Sequence, residues 1–199
     1  MKNRIIPLVF GFLVLGKHAV FAADDVQPEP GFVSLFNGKD LTGWCYTEGT
    51  KSDGAITDRF DGKMESADAR YSVANGELIV HPKVPRQLEK IWTQQQFPKD
   101  FVLRLEFRAA YNADSGIFIR GPQLQCRDYL VAGPYKQLKN YKAQDWNFIE
   151  ITVKNNVAVF TCNGEMLEAA FKLPATGPIG FEGDRGMLEY RHIRLKELP

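Results

Sequence analysis

Two carboxylates separated by a single glycine, Glu182 and Asp184 around Gly183, follow the run GPIGF. Small residues at a strand end let a ligand approach the backbone, so this pair is the first candidate for a base or proton shuttle. Arg120 closes the run SGIFIR, just before Gly121-Pro122. A guanidinium there can stabilise developing negative charge, and its bland alternative is a solvated strand terminus. Gln123 and Gln125 lie two apart on the next segment and therefore share a face. Their amides offer donors and acceptors suited to vicinal hydroxyls, although an ordinary polar sheet surface explains them too.

The remaining acids read differently. Glu106 sits between Arg104 and Arg108 on the polar side of an alternating segment, which points to a cross-strand ion pair, and Glu150 in WNFIEITV reads the same way. Ordinary glycoside hydrolysis needs two carboxyl groups, about 5 Å apart for retention and further for inversion. The alternating strand Glu-x-Asp-x-x-Glu that supplies them in laminarinase-like sandwiches is absent. Among the aromatic residues, Trp44, Trp92 and Trp146 adjoin strand patterns and read as core, whereas Tyr135 in the loop AGPY is the better apolar platform.

No cofactor is expected. The loop residues Asp53, Asp58, Asp61 and Glu65 are the only calcium ligands the pattern offers, and their spacing fails the EF-hand rule with its central Gly. Cys45, Cys126 and Cys162 match no zinc spacing, allow at most one bridge, and read as buried, inert thiols.

The elements that must position these groups are strands. In FVLRLEFR at 101–108 the residues Phe101, Leu103, Leu105 and Phe107 alternate with Val102, Arg104, Glu106 and Arg108. Turn signals stand at Asn37-Gly38, Asn75-Gly76, Asn155-Asn156 and Asn163-Gly164, and the last two predict a three-strand meander over 147–171. No amphipathic helix of ordinary length is visible. Many short strands with Gly/Asn turns predict an all-β sandwich or barrel. The Gly/Asp-rich stretch between Trp44 and Tyr71 and the stretch 129–145 read as long loops.

Lys2 and Arg4, an apolar run from Ile5 to Gly16 and Val20-Phe21-Ala22 predict a signal peptide over 1–22 and hence a secreted or periplasmic protein. The apolar run is too short to span a bilayer. Residues 23–30 read as a flexible lead-in, and 31–199 as one domain. Without the leader, 22 of the 25 basic residues remain against 24 acidic ones, so the charge is near −2. That balance, with no Lys/Arg cluster, excludes nucleic acid and anionic lipid as expected partners.

Five segments together carry a resemblance: GFVSLFNGKDLTGW at 31–44, WTQQQFPKDFVLRLEFRA at 92–109, ADSGIFIRG at 113–121, WNFIEITV at 146–153 and GPIGFEGDRGMLEYRHIRLKEL at 177–198. The chain resembles the 3-keto-disaccharide hydrolase domain family. This implies a concanavalin A-like jelly-roll β-sandwich of two antiparallel sheets. It also implies cleavage of glycosides already oxidised at C3, by base-assisted elimination and hydration or net hydrolysis. By that resemblance Glu182 or Asp184 is the base, Arg120 the oxyanion stabiliser, and Asp114, Gln123, Gln125, Tyr135 and His192 the sugar contacts. The substrate would be an oligosaccharide or glycoside, supplied by a partner oxidoreductase. The chain departs from the family's pattern. Asp114 and His192 stand where Asn is common, Gln123 where Glu is common, and Glu182-x-Asp184 where Gln-x-His is common. The alternatives are a non-catalytic carbohydrate-binding module, which binds sugar without turnover, and an interaction domain, which does neither.

Overall fold

A computed structural model describes residues 29–131 and 133–199. The expected leader, and the lead-in up to residue 28, lie outside the described residues. The strands in chain order are β1 (Val33–Ser34), β2 (Trp44–Thr47), β3 (Ile56–Arg59), β4 (Tyr71–Ala74), β5 (Glu77–Val80), β6 (Glu89–Thr93) and β7 (Phe101–Ala109). They continue as β8 (Asp114–Ile119), β9 (Gln123–Arg127), β10 (Asn147–Lys154), β11 (Val157–Cys162), β12 (Glu165–Lys172), β13 (Ile179–Gly183) and β14 (Leu188–Glu197).

They form two antiparallel sheets. The eight-stranded sheet runs β12-β11-β10-β7-β14-β5-β4 with β1 beside β14, and the six-stranded sheet runs β3-β2-β6-β13-β8-β9. This is the expected concanavalin A-like jelly-roll sandwich. Alternation explains it locally: the inward residues of β7, from Phe101 to Ala109, are all buried, and their outward neighbours are half-exposed. The inward row packs in one core with Ile117 and Ile119 of β8 and Ile179 and Phe181 of β13. Each Phe, Leu and Ile of this set contributes about 1.5–3 kcal/mol by leaving water.

The outer face of the eight-stranded sheet is an ion-pair lattice. Arg104 pairs with Glu150, Arg191 with Glu106, and Arg108 with Glu189, as the alternation anticipates. Trp146 belongs to this lattice, with the Arg108 and Arg191 guanidinium groups 4.7 and 4.0 Å from its ring centroid. It is not a core residue, unlike Trp44, which is fully buried against Phe181.

The Asn turns sit where expected. Asn75-Gly76 joins β4 to β5, Asn155-Asn156 joins β10 to β11, and Asn163-Gly164 joins β11 to β12, all with positive φ. The stretch after Trp44 is less irregular than its composition suggests. It contains β3, paired with β2, and a 3-10 turn at Glu48–Thr50. Periodicity missed β3 because it is a short edge strand with little buried surface. The three cysteines are buried and unbridged. Among the described residues, no helix is long and apolar enough to cross a membrane.

Candidate functional site on the outer face of the smaller sheet

Strand register brings the chemistry together. On the outer face of the six-stranded sheet, Lys90 of β6 pairs with Glu182 of β13. One step beyond the Phe181–Ile117 pair, Glu182 lies beside Gly116 of β8, and Gly116 pairs with Gln125 of β9. The next outward row holds Asp184 just past β13 and Asp114, which pairs with Arg127. Four strands, β6, β13, β8 and β9, thus converge on one patch.

Gly116 shapes its centre. A Cβ there would stand 2.3 Å from Gln123 Nε2 and 2.5 Å from its Cγ. The bare Cα therefore lets the Gln123 side chain cross β8 and donate from Nε2 to Glu182 Oε2 at 2.9 Å. Gly180 works similarly for Trp92, whose ring occupies the space of its missing side chain.

Glu182 is the carboxyl of the patch that no arginine holds. Its residue is 8 % exposed. Burial, reinforced by Asp184 and Asp114, pushes its carboxyl above the usual carboxylate range, while Lys90 and the Gln123 hydrogen bond oppose the rise without cancelling it. A carboxylate so raised is a stronger base than an exposed one.

The other two acids are tied by arginines. Asp184 receives both Nε and Nη2 of Arg86, the latter at 2.6 Å. Asp114 receives Arg127 Nη2 at 2.7 Å and lies 3.5 Å from Arg185 Nη2. A bidentate arginine competes with any proton for the same oxygens. Both oxygens of Asp184 are thus occupied by Arg86, and those of Glu182 by no arginine.

The strand end is pinned from inside. Ser115 Oγ donates to the Glu182 carbonyl at 2.7 Å, and the Tyr71 hydroxyl donates to the Phe181 carbonyl at 2.9 Å. Arg70, wholly buried, donates to the carbonyls of His81, Gln87, Gly183 and Asp184. A Cβ on Gly183 would stand 2.1 Å from Arg70 Nε. The glycine between the two acids is thus required by this arginine, on the inner side of the strand end.

Not every expected residue lies here. Arg120 is a correction. Its backbone has φ 54, its nitrogen bonds to the Pro178 carbonyl, and it lies four residues back from Glu182 along β13, about 13 Å at the strand rise. Its guanidinium is spent on the carbonyls of Phe97, Lys99 and Pro174 and on Asn156 Oδ1, at 2.7 to 3.1 Å. It clamps loops and does not face the carboxylates.

Tyr135 is a second correction. It is 5 % exposed, packs edge-on against Tyr129, and donates its hydroxyl to Glu168. The segment 129–145 folds Tyr129, Tyr135 and Tyr141 into the core rather than presenting a platform. His192 is a third. It occupies a bulge of β14 at φ 52 on the other sheet, with Nδ1 3.5 Å from Glu106 Oε1. The loop carboxylates also stay apart: Asp61 accepts from the Gly43 amide and Asp58 pairs with Lys63. Among the described residues, no group of three or more His, Cys, Asp or Glu side chains is placed to hold a metal.

Sequence reasoning missed Lys90, Arg86, Arg127 and Gly116. Only Arg127 had a usable signal, being the third member of the Gln123, Gln125, Arg127 alternation. Lys90 and Arg86 enter through register and a loop contact that local pattern does not encode.

The solved structures that share the fold include two from one organism. Both are described as putative glycosyl hydrolases from Parabacteroides distasonis. One superposes with TM-score 0.62 at 15 % identity, over 85 % of this chain and 94 % of that chain. The other gives TM-score 0.55 at 18 % identity, over 67 % and 93 %. No curated protein matches the chain. The family model described as the 3-keto-alpha-glucoside-1,2-lyase-like domain matches residues 31–196, which is nearly all of the described sandwich, and the chain belongs to that carbohydrate-related family.

Proposed function

We infer that the protein cleaves glycosides carrying a ketone at C3 of the ring, with Glu182 as the base. The observation that carries this reading is the Glu182 carboxyl itself. It is pushed up by burial, held by Gln123, faced by Lys90 and left free of arginine. A C3 ketone acidifies the C2 proton. Glu182 removes that proton, the C2–H electrons form the C1=C2 bond, and the C1–O electrons leave with the glycosidic oxygen, which is then protonated. Addition of water across C1=C2 completes net hydrolysis. One base and one cation near the enolate suffice, and Lys90 replaces Arg120 as that cation. Gln125, Asp114 and Arg127 supply polar contacts at the rim. The reading includes export through the leader at 1–22 and a partner oxidoreductase that makes the ketone.

The test is incubation of the purified protein with 3-keto-trehalose, 3-keto-lactose and their unoxidised parents, following free sugar by mass and enone absorbance. Cleavage confined to the keto forms supports the reading, and an enone marks elimination. Intact substrates with folded protein overturn it. They would favour the second reading, a non-catalytic carbohydrate-binding module, for which the pairing of Asp184 and Asp114 with arginines already speaks.

A further inference from the structure

The segment from Gly49 to Asp53 crosses the outer face of the smaller sheet at one end of the site. Gly121, at φ 115, admits it, since a Cβ there would stand 2.8 Å from Ser52 Oγ. A small apolar cluster of Cys45, Trp92 and Phe118 is buried on this otherwise polar face. Between the segment and the sheet lies a recess of about 270 Å³, lined by residues 49–53, Lys90, Trp92 and Gly121.

This recess adjoins Glu182. Lys90 borders it and also stands opposite Glu182 in the register. Gly180, opposite the recess residue Trp92, is one pleat from Glu182, roughly 7 Å. A substrate presenting one ring to Glu182 therefore extends its next unit into the recess.

The charges of the recess are distinctive. Arg86, Arg127 and Arg185 each have a carboxylate within ion-pair distance. Lys51 and Lys90, by contrast, have none among the described residues. Both ammonium-bearing side chains line the recess, against Asp53 as its one acid, with the hydroxyl residues Thr50 and Ser52 beside them. Lys90 also lies 4.7 Å over the Phe118 ring centroid, a contact that occupies no carboxylate.

We propose that the recess is a leaving-group subsite that selects an anionic unit, a sugar or aglycone bearing a carboxylate, with Lys51 determining that specificity. Its role toward a leaving group rests on the cleavage reading above; its preference for a carboxylate does not. Lys51 is exposed and outside the proposed catalytic set, so its substitution leaves the base and its surroundings in place.

The experiment compares 3-keto-glucosides of 4-hydroxybenzoate and of 4-methylphenol, which differ in the carboxylate. Wild-type protein should show a KM about five-fold lower for the carboxylate, the scale of one partly exposed ion pair, and the gap should close at high salt. Lys51→Gln should abolish the preference and Lys51→Glu reverse it, with kcat on the neutral glucoside unchanged. Equal KM values in the wild type, or a preference that survives Lys51→Glu, overturn the proposal. If neither ketone is cleaved, calorimetric titration with the two unoxidised glucosides separates the questions. Tighter binding of the carboxylate that Lys51→Glu removes sustains the anionic subsite while the cleavage reading fails, and equal affinity refutes the subsite as well.

Discussion

Gln123 reaches Glu182 from two strands away: its Nε2 donates to Oε2 at 2.9 Å, passing over the bare Cα of Gly116 on the strand between. A neutral amide thus steadies the one carboxylate of the site that lacks an arginine. Lys90, opposite Glu182 on the other side, provides charge without occupying the oxygens.

Replacing Glu182 by Gln keeps volume and hydrogen bonding but removes the base. Turnover of 3-keto-glycosides should fall by about 10²- to 10⁴-fold, the range for a general base, with KM nearly unchanged. Asp184→Asn should cost far less in kcat, because Arg86 already engages that carboxylate. Steady-state kinetics on both variants decide, and equal losses would make the pair a joint catalytic unit.

The raised Glu182 carboxyl also has a stability consequence. Because its folded value exceeds its unfolded one, the native state binds the extra proton, and the associated stability is present below the ordinary carboxylate range. It is lost as pH rises through the raised value. Glu182→Gln should therefore raise the Tm at neutral pH and have little effect near pH 3. Thermal melts of both proteins across pH check the sign, and a pH-independent difference would contradict it.

Gly116→Ala probes the crossing amide. Its methyl displaces Gln123, removing the hydrogen bond that favours the Glu182 anion. The Glu182 carboxyl should rise further, so the acid limb of the kcat/KM profile moves to higher pH, with a smaller plateau loss than for Glu182→Gln. An unmoved limb would show that Gln123 does not tune this group.

Arg120→Met separates architecture from chemistry. It strands acceptors at Phe97, Lys99, Pro174 and Asn156 and should destabilise the fold by about 3 kcal/mol or more in urea unfolding. The pH limb of the folded fraction should stay in place. A shifted limb with normal stability would return Arg120 to the catalytic site.

The sandwich was legible because its strands alternate and its hairpins carry Asn turns. FVLRLEFR and the 147–171 meander needed no tertiary knowledge. Within the site, the Glu182-Gly183-Asp184 strand end and the shared face of Gln123 and Gln125 were readable from local spacing. Arg120 misled because a left-handed backbone turns it off the strand's alternation. Tyr135 misled because a polar, turn-rich loop can still fold its aromatic rings inward. Lys90 and Arg86 were invisible because strand order, unlike strand period, is set by the whole sandwich.

Arg70 binds four carbonyls from three stretches of chain: His81 after β5, Gln87 before β6, and Gly183 and Asp184 at the end of β13. Opening any one of them to solvent breaks contacts that hold the others. The loop carrying Arg86 and the strand end carrying the two acids should thus exchange their amide hydrogens as one cooperative unit, so the site forms or dissolves as a whole rather than residue by residue.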